Sequence, residues 1–214
     1  MPLLLIFTIM LTFPLMQIHA TENVKWKTFK EKNGLFTIKY PSNWTPIKLN
    51  TKETEEYYPI NMVFGYYKGN SIAGLTMLAG ESIFYNATDM VDSYETTVQN
   101  YKKYELIQPT QCGKYIIKGV SACDTLSTYK DPLSPKKSIV NDLLIGIIDD
   151  EGVEYVMEYK ATKDVFDDFL PVVEEMVKSF NVTGDILSSG EESIGGTDDS
   201  PDLPPLTESP TLKL

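Results

Sequence analysis

An Asn-Gly dipeptide within Lys32-Asn33-Gly34 separates two short alternating runs, Lys25-Trp26-Lys27-Thr28-Phe29 and Leu35-Phe36-Thr37-Ile38-Lys39-Tyr40. Both positions of an Asn-Gly pair tolerate positive φ, so the spacing predicts a hairpin. Phe36, Ile38 and Tyr40 then share one face of its second strand, opposite Thr37 and Lys39. Pro41 ends that strand, and Trp44 is expected to fold back onto the core. The same pattern continues along the chain. Runs at 61–67 and 71–78 are joined by Lys68-Gly69-Asn70, further strands are expected near 104–109, 113–118, 122–129, 137–148 and 152–160, and Asp149-Asp150-Glu151-Gly152 joins the last two.

Two segments break the period of two. Ala87, Met90, Val91, Tyr94, Val98 and Tyr101 recur at helical spacing, which predicts a helix over about 88–103 with Thr88 at its start and Lys102-Lys103 at its negative end. Phe166, Phe169, Leu170, Val173, Met176, Val177 and Phe180 form a second stripe, predicting a helix over 163–180 capped by Thr162 or Asp164. Pro171 falls inside it, so a single turn at 164–168 followed by a helix opening near Pro171 is the other reading. Mostly antiparallel strands with two amphipathic helices far apart in sequence give an α+β domain of layered sheet and helices.

The ends differ in character. From Pro2 to Met16 no residue is charged, and Ile18-His19-Ala20 ends in a small residue before Thr21-Glu22-Asn23, as an export signal over 1–20 cleaved after Ala20 would. Pro14, Gln17 and His19 leave the apolar run too short for a spanning helix, so no stable membrane insertion is expected after cleavage. The domain is expected over 21–183. From Gly184 the chain turns acidic and rich in Ser, Gly and Pro, and 184–214 reads as a disordered tail.

The stretch Gly34-Leu35-Phe36-Thr37-Ile38-Lys39-Tyr40-Pro41-Ser42-Asn43-Trp44, with Trp26 ahead of it and Phe169-Leu170-Pro171 and Met176-Val177-Lys178-Ser179-Phe180 closing the domain, resembles PsbP-like domains over about 24–182. The best-known member is an extrinsic subunit of the oxygen-evolving photosystem, and small secreted microbial and archaeal relatives look closer. The resemblance implies an α/β/α sandwich around an antiparallel sheet and a non-catalytic accessory or binding role. It does not imply photosystem function, because the mature chain would reach Trp26 without the N-terminal extension of the photosynthetic member. The metal-binding histidines proposed in some relatives have no counterpart here.

The composition restricts chemistry. The only histidine, His19, lies in the leader, and all nineteen basic residues are Lys, so the mature chain lacks the usual proton shuttle and the planar anion clamp. Ser127-Thr128-Tyr129-Lys130 and Ser134-Pro135-Lys136-Lys137 both have Ser-x-x-Lys spacing, but the first runs through an expected strand, where positions three apart point to opposite faces, the second falls between expected strands rather than on a helix, and no Gly-x-Ser-x-Gly is present. A net charge of −11 with no basic cluster beyond Lys doublets disfavours nucleic acid. No cofactor is expected.

Cys112 and Cys123 bracket two short strands around a turn at Lys118-Gly119, and in an exported chain one pair at this spacing is expected to form a disulfide. Asp149, Asp150, Glu151 and Glu154 are the densest carboxylates and the candidate cation ligands, although they lack the Asp-x-Asp-x-Asp-Gly spacing of calcium loops. A solvated turn is the other reading of them. Tyr57-Tyr58 and Tyr66-Tyr67 place neighbours on opposite faces of a strand, so one of each pair is a candidate interface anchor. Asn43, Asn86 and Asn181 head Asn-x-Ser/Thr sequons open to glycosylation on export. Together these features predict an exported non-enzymatic accessory domain, secreted or at the extracytoplasmic cell surface, that binds a protein or cell-envelope partner. The alternative is a small-ligand or divalent-cation binding protein in the same compartment.

Overall fold

The computed structural model describes residues 24–49, 58–68, 71–100, 104–131 and 138–187. The expected leader and most of the expected tail lie outside these residues, as do Tyr57, Lys102 and Lys103. The Asn-Gly hairpin forms as expected. β1 (Trp26–Lys30) and β2 (Phe36–Pro41) are antiparallel with Phe29 opposite Ile38, and Gly34 adopts φ 75°. Glu31 fixes the turn, its carboxylate accepting from the Asn33 N–H at 2.6 Å and its carbonyl from the Gly34 N–H at 2.9 Å.

Seven strands build the main sheet: β3 (Thr45–Lys48), β4 (Ile60–Lys68), β5 (Ser71–Glu81), β6 (Tyr104–Ile117), β7 (Val120–Lys130), β8 (Ile139–Ile148) and β9 (Val153–Thr162). Their spatial order is β3-β4-β5-β9-β8-β7-β6, with every neighbour antiparallel. Helix α1 (Ala87–Asn100) carries the chain from β5, inside the sheet, to β6 at its edge. The chain then meanders back to set β9 against β5, and α2 (Phe166–Ser179) follows. A last short strand, β10 (Asn181–Val182), joins β2, so the hairpin and the end of the domain close one three-stranded sheet.

Alternation along the strands sorts residues into two layers. Phe64, Leu75, Met77, Tyr155, Met157 and Tyr159 face α2, where Phe166, Val173, Met176 and Val177 cover them. Each large side chain buried there contributes about 1.5–3 kcal/mol. The hairpin packs into this layer through Phe29 and Tyr40, whose rings lie 5.7 and 5.4 Å from Phe64. On the opposite face α1 lays Met90 and Val91 over Cys123 and Leu144. Gly146 lets Met90 settle onto the sheet, since a Cβ there would stand 2.1 Å from the Met90 methyl and displace it. This is an α+β fold with the main sheet between two helices.

Several boundaries differ from those the sequence suggests. Thr45–Lys48 is a strand although it contains Pro46, because β3 lies at the sheet edge, where a missing N–H costs no ladder bond. The two strands expected at 104–109 and 113–118 are one, with register shifts after Leu106, Gln108 and Cys112 absorbing what reads as a break. Asn86, rather than Thr88, caps α1, its Oδ1 accepting from the Asp89 N–H at 2.9 Å. Neither Thr162 nor Asp164 caps α2. Val165 occupies that position without a side-chain bond, and Pro171 sits within a continuous helix. Ile186 is 3% exposed and the Gly184 N–H bonds the Leu35 carbonyl, so the packed chain extends past Thr183. Among the described residues no helix is long and apolar enough to cross a membrane.

Candidate functional site

Helix α1 lies mainly over β6, β7 and β8, and its Met90–Val91 cluster reaches β9 at Val156. The same face of β3, β4 and β5 has no extensive helix contact among the described residues. Register places Ile47, Val63, Thr76 and Glu158 in one row across this open half, and Thr45, Gly65, Gly74 and Lys160 in the next. Ile47 is 45% exposed and Tyr67 57% exposed, so two large apolar side chains of β3 and β4 face solvent on this half. Tyr67 lies back along its own strand. A Cβ on Gly65 would meet its ring at 2.8 Å, so the glycine leaves the aromatic room to lie flat across the sheet. From Tyr58 to Tyr67 the open strip is about 30 Å long, at roughly 3.4 Å per residue.

Where the strip meets α1 it turns polar. Asp142 on β8 is 0% exposed, accepts a hydrogen bond from the Tyr94 hydroxyl of α1 at 2.8 Å, and lies 3.6 Å from the Lys160 ammonium. Lys160 also pairs with Glu158 at 2.6 Å. Burial, and then the neighbouring Glu158 carboxylate, push the Asp142 carboxyl up to about 7 against the pull of Lys160 and Tyr94. Its second oxygen and the Ser127 hydroxyl, in register beside it, have no partner among the described residues.

The candidate tyrosines divide as an extended strand requires. Tyr66 turns inward, its ring 4.8 Å from Phe169 of α2, while Tyr67 turns outward. Tyr58 is half-buried at the far end of the strip and donates to Glu154 at 3.1 Å, and Ser82 donates to the other Glu154 oxygen at 3.0 Å. Burial, then Glu154, raise the Tyr58 hydroxyl to about 12. Sequence reasoning missed this pairing, as well as the roles of Asp142 and Lys160, because each joins residues far apart in the chain.

The four candidate cation ligands do not converge. Asp149 accepts from the Lys118 ammonium at 2.6 Å and the Tyr155 hydroxyl at 3.1 Å. Burial raises its carboxyl, but Lys118, the Val153 N–H and Tyr155 outweigh it and hold the group below its ordinary value. Tyr155 belongs to the α2-facing core, so Glu154, its neighbour on the strand, points to the other face. Asp150 and Glu151 are exposed in the turn. Among the described residues no three His, Cys, Asp or Glu side chains are placed to hold a metal ion. Asn43, Asn86 and Asn181 are all exposed, and Asn86 is engaged as the α1 cap.

A second concavity, a groove of about 1170 Å³, runs between the hairpin and α2 and is lined by Trp26, Lys27, Lys39, Leu170, Glu174 and Lys178 among others. Lys27 and Lys39 form no ion pair with the described residues, whereas Glu174 is held by Lys114 at 3.2 Å.

No family model matches the chain, and no curated protein matches it significantly. Solved structures do. Cyanobacterial PsbP from a Synechocystis species aligns with a TM-score of 0.50 at 13% identity, covering 80% of this chain and 100% of that one. LpqN of Mycobacterium tuberculosis, involved in cell envelope biogenesis, aligns at 0.49 and 10% identity over 78% of this chain and 89% of that one. The Saccharomyces cerevisiae Ran-binding protein Mog1p aligns at 0.48 and 12% identity over 78% and 98%. The cyanobacterial likeness is one of fold, and the chain has the PsbP-like fold.

Proposed function

We propose that this chain is an exported, non-enzymatic binding domain and that its partner, a protein or cell-envelope component, docks on the open half of the main sheet. One observation carries the reading: α1 covers only part of its face, leaving Tyr67 and Ile47 exposed on the uncovered strands. The Tyr67 ring on a flat floor, bordered by the partly exposed Lys160 and Glu158, suits the apolar centre and polar rim of an interface. Export and cleavage after Ala20 rest on the leader, and the bonded Cys112–Cys123 pair fits an oxidising compartment. The absence of Arg, and of His outside the leader, supports a non-catalytic role.

Capture from an envelope extract tests this. Tyr67→Ala combined with Ile47→Asp is expected to reduce recovery of the partner at least tenfold, as loss of one central aromatic anchor costs about 2 kcal/mol or more. Lys39→Glu in the groove should leave recovery unchanged. The groove supports the second reading, a small-ligand carrier, because it sets Trp26 beside Lys27 and Lys39, which form no ion pair with the described residues. If Lys39→Glu abolishes capture and the Tyr67 variant does not, the carrier surface is the functional one.

A further inference from the structure

Cys112 and Cys123 stand directly opposite each other in the β6–β7 ladder and are joined, but their surroundings are unequal. Cys123 is 3% exposed and packed with Met90, Val91 and Leu144 beneath the first turns of α1, whereas Cys112 is exposed on the edge strand. Thr88, the second residue of α1, brings its Oγ1 to 3.5 Å from the Cys123 sulfur and 3.7 Å from the Cys112 sulfur. A disulfide sulfur has no proton to give, so the threonine hydroxyl is the donor. Just past Cys112, Gly113 adopts φ 98° and the ladder shifts register before Ile116, which frees the strand on that side. The bond spans a sequence separation of 11 within a hairpin also closed by its ladder and by the Lys118-Gly119 turn, so it constrains the unfolded chain less than a long-range disulfide would.

We propose that Cys112–Cys123 is an exchangeable disulfide in which a thiolate, from a low-molecular-weight thiol or the dithiol of an oxidoreductase, attacks the Cys112 sulfur. The S–S bond breaks, the electron pair leaves on Cys123, and Cys112 keeps the incoming thiol as a mixed disulfide. A second thiolate attacking that adduct releases Cys112 as a thiolate, so two thiols are oxidised to one disulfide for each bond reduced. The structure favours Cys123 as the leaving group. Its burial among Met90, Val91 and Leu144 disfavours a thiolate, but that thiolate would receive the Thr88 hydroxyl bond near the first turn of α1, and only the Cys112 sulfur is open to the incoming thiol. Asp89 in the same turn also disfavours a thiolate, but its carboxylate accepts from the Asn86 amide at 2.9 Å.

Reduced glutathione is added to the folded full chain, the reaction is quenched with acid, and peptides are mapped by mass spectrometry after alkylation. Glutathione is expected on Cys112 and a free thiol at Cys123. Thr88→Val should slow the reaction about three- to tenfold, as loss of one ordinary hydrogen bond to the sulfur on which charge is developing would, and Thr88→Ser should restore it. The proposal is overturned if the adduct is on Cys123, if Thr88→Val reacts at the wild-type rate, or if reduction proceeds only at the rate of global unfolding. The adduct position in the unmodified chain decides the matter even if Thr88→Val does not fold.

Discussion

Asp142 shows how a single residue can set the pH response of the domain. Its folded-state carboxyl titrates near 7, above the ordinary carboxylate range, chiefly because it is buried. Between about pH 4 and 7 the unfolded chain has released this proton while the folded chain still holds it. The contribution of Asp142 to stability is therefore fully present at low pH, falls as pH rises through that window, and is flat above it. Asp142→Asn should abolish the fall. The loss of stability between pH 5 and pH 8, read from urea midpoints, is expected to shrink by about 1–3 kcal/mol relative to wild type. An unchanged difference would mean that Asp142 does not titrate in this range. Nothing in the local sequence marks this residue, since Asn141-Asp142 reads only as a polar entry to an apolar strand. Its character comes from Tyr94, Glu158 and Lys160, which only the sheet register and α1 bring together. Tyr66 and Tyr67 are the opposite case, because alternation alone assigns them to different faces.

At the scale of elements, β6 is the long edge strand of the main sheet, and its exposed backbone is an invitation to unwanted pairing. Helix α1 answers this. Glu95 accepts from the Thr110 N–H at 2.9 Å and from its hydroxyl at 3.0 Å, satisfying an edge donor that no strand reaches. Glu95→Ala should cost about 1–2 kcal/mol and speed amide exchange at Thr110. A protected Thr110 amide in that variant would place the edge contact elsewhere. Elements with strong local periods were legible, as in the apolar stripes of both helices and the hairpin around Asn33-Gly34. Those set by pairing were not. β3 contains Pro46 and owes its extended form to β4, and β6 carries Pro109 and Gly113, which read as a break but serve as irregularities in one strand.

For the whole molecule, the layer arrangement follows from the order of periodic segments, whereas the uncovered half of one sheet face depends on where α1 crosses. The sequence offered candidate tyrosines without saying which shared a surface. The fold puts Tyr67 and Ile47 on one open face, sends Tyr66 to the core and engages Tyr58 with Glu154. In the function proposed above, this face, rather than the groove beside α2, receives the partner. Replacing Tyr67 with a photoreactive phenylalanine analogue, and separately Lys39 in the groove, tests it when each chain is irradiated in its native envelope. A discrete protein or envelope adduct is expected from position 67 and none from position 39; an adduct from position 39 alone would put the partner in the groove instead.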